Sequence, residues 1–216
     1  MSAPKILVAD DHPLFRAAVL HTLHGAIDGA ATVEASSAST LAAAMVAHPD
    51  IELVLLDLAM PGAHGFSSLV YLRGERPEVP VIMISSNDHP HVIRRAEQFG
   101  AAGFIPKSAP VESIRTAVAT VMAGGSWFPP ITAQRSESDA RLAARLAQLT
   151  PQQFRVLMLM AEGLLNKQIA SHLGLAENTV KIHMTAVLGK LNCRSRTQAA
   201  VLVKSLDPDE IEYSDA

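Results

Sequence analysis

Leu53-Val54-Leu55-Leu56-Asp57-Leu58-Ala59-Met60-Pro61-Gly62 sets four consecutive apolar residues against an acid and then a turn. An unbroken aliphatic run of this length, closed by Pro and Gly, reads as a strand buried on both faces of a parallel sheet. Asp57 therefore falls at the carboxyl edge, the side on which open α/β sheets bind ligands. Working outward, Lys5 to Ala9, Val81 to Ile84 and Gly103 to Ile105 repeat the pattern, and Ala31 to Ala35 is a weaker fifth run. Between them Leu14 to His24, Ser39 to Ala47, Ser67 to Arg73, Pro90 to Phe99 and Val111 to Ala123 carry apolar residues at helical spacing. Strand and helix alternating in this way predict an α/β unit, a doubly wound five-stranded parallel sheet with helices on both faces.

Gly124, Gly125, Pro129 and Pro130 punctuate the end of that unit. The following polar stretch reads as a linker over 127–149, with Leu142, Leu146 and Leu149 able to give it a short amphipathic helix. From Thr150 the pattern is wholly helical. Thr150, Pro151 and Gln153 form a capping box with proline in the first turn, and Gly163 and Gly174 are natural helix stops. Ser195 and Gln198 repeat the capping spacing. Four helices follow: Pro151 to Glu162, Lys167 to His172, Glu177 to Lys190 and Arg196 to Lys204. The middle two are separated by a short turn at Gly174, as in a helix-turn-helix. The expected organisation is 1–126, linker 127–149, an all-α four-helix unit over 150–205, and an acidic tail over 206–216.

The net charge of −3 conceals an asymmetry along the chain. The segment 1–126 carries −4, 150–205 carries +5, and the tail from Leu206 carries −5. An acidic first unit followed by a basic second one suggests that only the second meets a polyanion. The single cysteine, Cys193, excludes an internal disulfide and reads as a small apolar residue. Met1 to Pro4 run into the first strand without a leader pattern, and no apolar run approaches membrane-spanning length. A cytoplasmic chain with no membrane partner is expected.

The polar residues at the strand ends carry the chemistry. Asp10 and Asp11 follow the first strand, Asp57 ends the third, Ser85 ends the fourth and Lys107 follows the fifth. Converging carboxylates repel one another unless a cation shares them, and an oxygen-rich site of this kind suits Mg²⁺. A phosphoryl group placed on one carboxylate would need the metal, a hydroxyl and a lysine for its oxygens. Singly, each residue reads as a cap, a strand-end hydrogen bonder or a solvated charge; together they are far more specific. His12, His64, His89 and His91 form no metal-ligand pattern and read as surface histidines.

At these residues the sequence resembles the receiver domains of two-component response regulators. Lys5-Ile6-Leu7-Val8-Ala9-Asp10-Asp11-His12, Leu56-Asp57-Leu58-Ala59-Met60-Pro61-Gly62, Ser85 and Gly103-Phe104-Ile105-Pro106-Lys107 follow that family's motifs in order. The resemblance implies a flavodoxin-like strand order, Asp57 as phosphoacceptor, and Mg²⁺ held by Asp10, Asp11, Asp57 and the backbone carbonyl of Ala59. It also implies Ser85 and Lys107 on the phosphoryl oxygens and Phe104 at an aromatic switch position. Pro106, just before the lysine, departs from the pattern and fits an edge strand.

Leu149 to Val203 resembles the DNA-binding domain of the LuxR/NarL class, carried by Leu149-Thr150-Pro151, Ala161-Glu162-Gly163, Asn166-Lys167, Ile169-Ala170, Thr179-Val180-Lys181 and Arg196-Thr197-Gln198-Ala199-Ala200. Glu177 to Lys190 places Val180, Val187 and Leu191 on one face with Met184 and Leu188 beside them. Lys181 and Thr185, an i, i+4 pair, fall on another face that can enter a major groove, with Ile182 able to meet a thymine methyl. Thr179, Lys167, Lys190, Arg194 and Arg196 complete the expected DNA-binding set, the four cations serving phosphates. Leu165, Gln168 and Ala176 depart from the class, and Ala176 removes a helix cap that contributes about 1 kcal/mol.

The combination implies a phosphorylation-controlled transcription factor. Its expected partners are double-stranded promoter DNA, a sensor histidine kinase and, once phosphorylated, a second copy of itself, with RNA polymerase a further candidate. Two competitors differ in class. Aspartyl-phosphate hydrolases carry a second acid two residues after the nucleophile, where this chain has Ala59. A regulator that ignores phosphate and uses its first unit only as a protein-binding surface would not need all five polar residues. The chain is therefore not expected to be an enzyme.

Overall fold

A computed structural model describes residues 4–27, 29–132 and 134–208, so residues 209–216 of the expected acidic tail, and Met1 to Ala3 before the first strand, lie outside the described residues. The strands are β1 (Lys5–Ala9), β2 (Ala31–Ala35), β3 (Ile51–Asp57), β4 (Val81–Ser85) and β5 (Gly103–Pro106), parallel and in the order β2-β1-β3-β4-β5. The helices around them are α1 (Pro13–Ala26), α2 (Ala38–Ala47), α3 (Ser67–Glu75), α4 (Pro90–Gln98) and α5 (Val111–Met122). Both the elements and the flavodoxin-like order match the sequence reading.

Side chains alternate across a strand, so a fully apolar run buries itself only when both faces are covered. Leu53 and Leu55 of β3 pack with Ile6, Val8, Ile82 and Ile105 under α1 and α5, against Val19, Leu23, Ile114 and Val118. Val54 and Leu56 point the other way, onto Leu41, Leu69, Val92 and Phe104. β5 is an edge strand, which is why Pro106 is tolerated: its missing N–H faces no further strand.

The linker forms α6 (Glu137–Leu146), capped by the Ser136 side chain, which accepts from the Asp139 N–H at 3.2 Å. The second unit comprises α7 (Pro151–Ala161), α8 (Asn166–Leu173), α9 (Glu177–Leu191) and α10 (Arg196–Lys204). The expected capping box at Thr150 forms, with Gln153 N–H donating to Thr150 Oγ1 and Thr150 N–H to Gln153 Oε1. At α10 the box is only half formed, because Gln198 Oε1 accepts instead from the Arg194 N–H at 2.6 Å. Gly174 ends α8 at φ +66°, a left-handed turn that glycine enters without penalty.

The two units share a continuous apolar cluster. Phe66, Leu69, Val70 and Phe99 on the α3/α4 side of the sheet join Leu146, Leu149, Phe154 and Leu206 of the linker and second unit. Arg155 of α7 pairs with Glu75 of α3 and lies over the Tyr71 ring, 5.9 Å from its centroid.

Candidate phosphoacceptor pocket and nucleic-acid interface

The carboxyl ends of β1, β3 and β4 bring Asp10, Asp57 and Ser85 together, all three buried. β1 and β3 are hydrogen-bonded neighbours, so acids placed at their ends must meet. Lys107 follows β5 and is fixed by its backbone, the N–H donating to the Ser85 carbonyl at 2.8 Å. Its ammonium reaches back to stand 2.8 Å from both Asp10 Oδ2 and Asp57 Oδ2. The other Asp57 oxygen, Oδ1, accepts from the Ala59 N–H at 3.3 Å. Ser85 Oγ accepts from the Asn87 N–H at 3.0 Å. Asp57, Ala59, Ser85, Asn87 and Lys107 line a cavity of about 410 Å³.

Burial pushes the Asp57 carboxyl above its ordinary range, opposed by the hydrogen bond and charge of Lys107 and reinforced by the neighbouring Asp10. Burial would lower the Lys107 ammonium, but the Asp10 and Asp57 carboxylates outweigh it and raise the net value. The pocket thus holds two acids around one cation, and a further cation would relieve the repulsion that remains. Asp10, Asp11, His12 and Asp57 each bring one ligand atom within 4.8 Å of the others, and the carboxylates are the hard oxygens that Mg²⁺ prefers.

Two placements differ from the sequence reading. His12, taken as a surface histidine outside any ligand pattern, is largely exposed yet belongs to the cluster. Its Nδ1 lies 2.7 Å from Asp11 Oδ1 and 3.8 Å from Asp57 Oδ2, and its N–H donates to Asp10 Oδ1 at 2.7 Å. Adjacency to Asp10 and Asp11 was the available signal. Arg16, which the motifs do not include, donates from Nη1 to the Asp10 carbonyl at 2.6 Å and pairs with Glu34. Phe104 of β5 is fully buried in the apolar core, its N–H donating to the Trp127 carbonyl at 2.9 Å.

In the second unit α9 buries Val180, Val187 and Leu191 and leaves Lys181, Ile182 and Thr185 exposed. Ile182 is 63% exposed, an apolar side chain held in water on the face expected to read bases. Lys181 pairs with Glu177 one turn earlier at 3.2 Å, and Thr185 Oγ1 donates to the Lys181 carbonyl. Ala176 supplies no side-chain cap, as its residue type requires. Lys167 and Arg194 are exposed, and Thr179 is half-buried. The other two cations have partners within the fold. Lys190 Nζ donates to the Gln148 carbonyl at 2.8 Å and to Gln153 Oε1 at 2.7 Å, and Arg196 Nη2 donates to the Leu164 carbonyl at 2.6 Å.

Comparison with known proteins identifies the family of each unit. Residues 6–119 match the response regulator receiver domain family, and residues 147–203 match the luxR family of bacterial regulatory proteins. The glycerol metabolism activator of Pseudomonas putida is 39% identical over 212 residues, covering 94% of this chain and 96% of that one. The nitrate/nitrite response regulator protein NarL of Escherichia coli strain K12 is 33% identical over 203 residues, covering 92% and 94%. Among solved structures, the RcsB response regulator of Salmonella typhimurium aligns over 95% of this chain and 100% of that one, at a TM-score of 0.56 and 22% identity. A LuxR family DNA-binding response regulator from Silicibacter pomeroyi aligns over 58% of this chain and 96% of that one, at a TM-score of 0.51 and 32% identity. With a receiver matched over its first half and a relative 39% identical along nearly its whole length, the chain belongs to the response regulators that join a receiver to a luxR-family regulatory domain.

Proposed function

We propose that the chain is a phosphorylation-controlled, DNA-binding transcriptional regulator in which a sensor histidine kinase transfers a phosphoryl group to Asp57. The observation that carries this reading is the grip of Lys107 on both Asp10 and Asp57 in a cavity that also presents Ser85. Asp57 supplies the oxygen that takes the phosphoryl group. Lys107 and Ser85 face the same space and would hold its oxygens, replacing the water that would otherwise stabilise the transferring charge. Asp10, Asp11, Asp57 and the Ala59 carbonyl would hold Mg²⁺, which when bound neutralises charge shared between the acids and the phosphoryl oxygens. Phe104, buried in the core on β5, is the packing element that registers the change.

The working division is 1–126 for the receiver, 127–149 for the linker, 150–205 for the DNA-binding domain and 206–216 for the acidic tail. Double-stranded promoter DNA is the ligand of the second domain. Lys181, Ile182, Thr185 and Thr179 stand on the reading side of α9, and Lys167, Lys190, Arg194 and Arg196 flank it. Phosphorylation favours a homodimer, which doubles the DNA contact, and a bound dimer stands where RNA polymerase can be recruited or blocked. The protein works in the cytoplasm and its output is binding, not turnover. Mixing the parent and Asp57→Ala with a small-molecule phosphodonor and Mg²⁺ tests the assignment by mass: one phosphate is expected on the parent and none on the variant. Equal labelling of both would remove Asp57 from its role.

A further inference from the structure

His12 is fixed where β1 ends and α1 begins. Its N–H donates to Asp10 Oδ1 at 2.7 Å, its carbonyl accepts from the Arg16 N–H at 3.0 Å, and Pro13 opens α1 behind it. The ring on this constrained backbone meets all three acids: Nδ1 stands 2.7 Å from Asp11 Oδ1, 3.5 Å from Asp10 Oδ1 and 3.8 Å from Asp57 Oδ2. Ligand atoms bonded at about 2.0 to 2.2 Å to one ion lie roughly 3 to 4 Å apart, and the three separations fall in or beside that range. The lone pair needed for such a bond is available. Lys107 Nζ lies 3.4 Å from the same Nδ1, and an ammonium only donates, so Nδ1 accepts there and the ring proton sits on Nε2. Asp10 Oδ2 and Asp11 Oδ1 are buried and, among the described residues, meet no aligned hydrogen-bond donor. Lys107 Nζ at 2.8 Å and His12 Nδ1 at 2.7 Å touch them without that alignment. A nitrogen lone pair and a carboxylate oxygen this close repel one another, and a divalent cation shared between them turns the repulsion into attraction.

We propose that His12 is a specificity-determining ligand, whose imidazole lets the acidic pocket take a transition-metal ion of the cobalt-to-zinc group in competition with Mg²⁺. The proposal rests on the reading of Asp10, Asp11 and Asp57 as a cation site. Mg²⁺ is hard, prefers an all-oxygen set and keeps several waters, so an imidazole adds little to its binding. Cobalt, nickel and zinc ions accept imidazole readily and bind mixed nitrogen and oxygen sites more tightly than the earlier divalent metals do. Three carboxylates alone suit the hard ion, whereas three carboxylates with one imidazole shift the preference toward the borderline one. Among the described residues Asp10, Asp11, His12 and Asp57 are the one group of three or more ligating side chains, so the histidine and the acids share a single site. His12 is largely exposed while Asp10 and Asp57 are buried, so an ion arriving from solvent meets the imidazole at the rim of the acids. Since Asp57 is itself one of the ligands, the ion that His12 selects is the ion present where the phosphoryl group arrives.

Co²⁺ is the probe, because it belongs to the favoured group and is paramagnetic. Calorimetric titrations of the full chain with Co²⁺ and with Mg²⁺ give the ratio of the two affinities. Proton NMR with Co²⁺ detects hyperfine-shifted imidazole resonances, and excess Mg²⁺ sets the pocket apart from ions held by other histidines. The parent is expected to prefer Co²⁺ and to show shifted imidazole resonances that fade as Mg²⁺ is added. In His12→Ala those resonances should be missing and the Co²⁺ to Mg²⁺ ratio should fall at least about tenfold, the scale on which metal sites respond to loss of a supporting group. His12→Asn, which keeps a polar side chain but no imidazole, should match His12→Ala. A purely structural role beside Asp11 would move both affinities together and give no imidazole signal. The assignment is overturned if the Mg²⁺-displaceable Co²⁺ of the parent carries no imidazole resonance, or if either variant keeps the parent's ratio. A parent that binds no Mg²⁺ contradicts instead the acidic cation site on which the role of His12 rests, and removes both.

Discussion

The phosphoacceptor pocket and the reading face of α9 are built on opposite physical terms. In the pocket Asp10, Asp57 and Ser85 are buried and share few atoms among many demands: Lys107 answers two carboxylates at once. On α9 Lys181, Ile182 and Thr185 are exposed and lean only on their own helix. A buried, interlocked group has one function that is present or absent, whereas exposed side chains contribute separately and by degrees. The difference predicts how changes in each region should behave.

The largest effect belongs to the pocket. Asp57→Ala is expected to abolish phosphate uptake while remaining folded. Because burial raises the Asp57 carboxyl in the folded state, the stability it contributes is present at low pH and lost as pH rises through that raised value. In Mg²⁺-free buffer at neutral pH the variant should therefore melt no lower than the parent, and any advantage should shrink as the pH falls into the ordinary carboxylate range. A variant that melts well below the parent at pH 7 would show that Asp57 supports the fold, and the contrast with α9 would lose its basis.

On α9 the expected loss is graded. Lys181→Ala should cost about 1 to 3 kcal/mol at the cognate duplex and flatten discrimination between duplexes, read by titration against cognate and scrambled sequences. Full retention of preference would mean that Lys181 only solvates the helix with Glu177.

A smaller change is expected in the lifetime of the phosphorylated state. Hydrolysis needs a water held in line with the acyl phosphate, and of the residues two positions beyond Asp57 and Ser85, both of which line the cavity, the Ala59 side chain cannot hydrogen-bond and that of Asn87 can. Ala59→Asn should speed loss of phosphate several-fold, followed by phosphate release over time; an unchanged rate would remove position 59 from water positioning.

The smallest effect is expected at Lys190. Lys190 is charged yet held by the Gln148 carbonyl and Gln153 Oε1, so Lys190→Ala should cost about 1 kcal/mol of stability for the lost bonds. It should also weaken all DNA sequences alike, lowering the salt slope by about one. Loss of stability with an unchanged salt slope would make Lys190 a purely internal residue.

The sequence reveals those parts of the molecule that follow from periodicity. Runs such as Leu53 to Leu56 declare a two-faced strand, and acids and a hydroxyl at the ends of neighbouring strands must converge, so Asp10, Asp57, Ser85 and Lys107 could be placed without coordinates. Long-range backbone contacts carry no such period. Leu206, grouped by charge with the acidic tail, is fully buried against Gly65 and Phe66, and neither residue type announces the pairing. Lys190 and Arg196 read from the sequence as cations serving phosphates, because side-chain bonds to distant carbonyls leave no pattern. Arg95 did leave one: Val92, Arg95, Ala96 and Phe99 share a helical stripe, and a charge inside an apolar stripe marks a junction.

If charge at Asp57 controls DNA binding, duplex titration of the full chain, with its oligomeric state measured alongside, registers it. The parent and Asp57→Ala are each measured in Mg²⁺ with and without a small-molecule phosphodonor. The donor is expected to tighten binding and shift the parent toward a dimer, and to change neither in Asp57→Ala. A parent whose affinity and assembly ignore the donor while it carries the phosphate, or a variant that responds as the parent does, would contradict it.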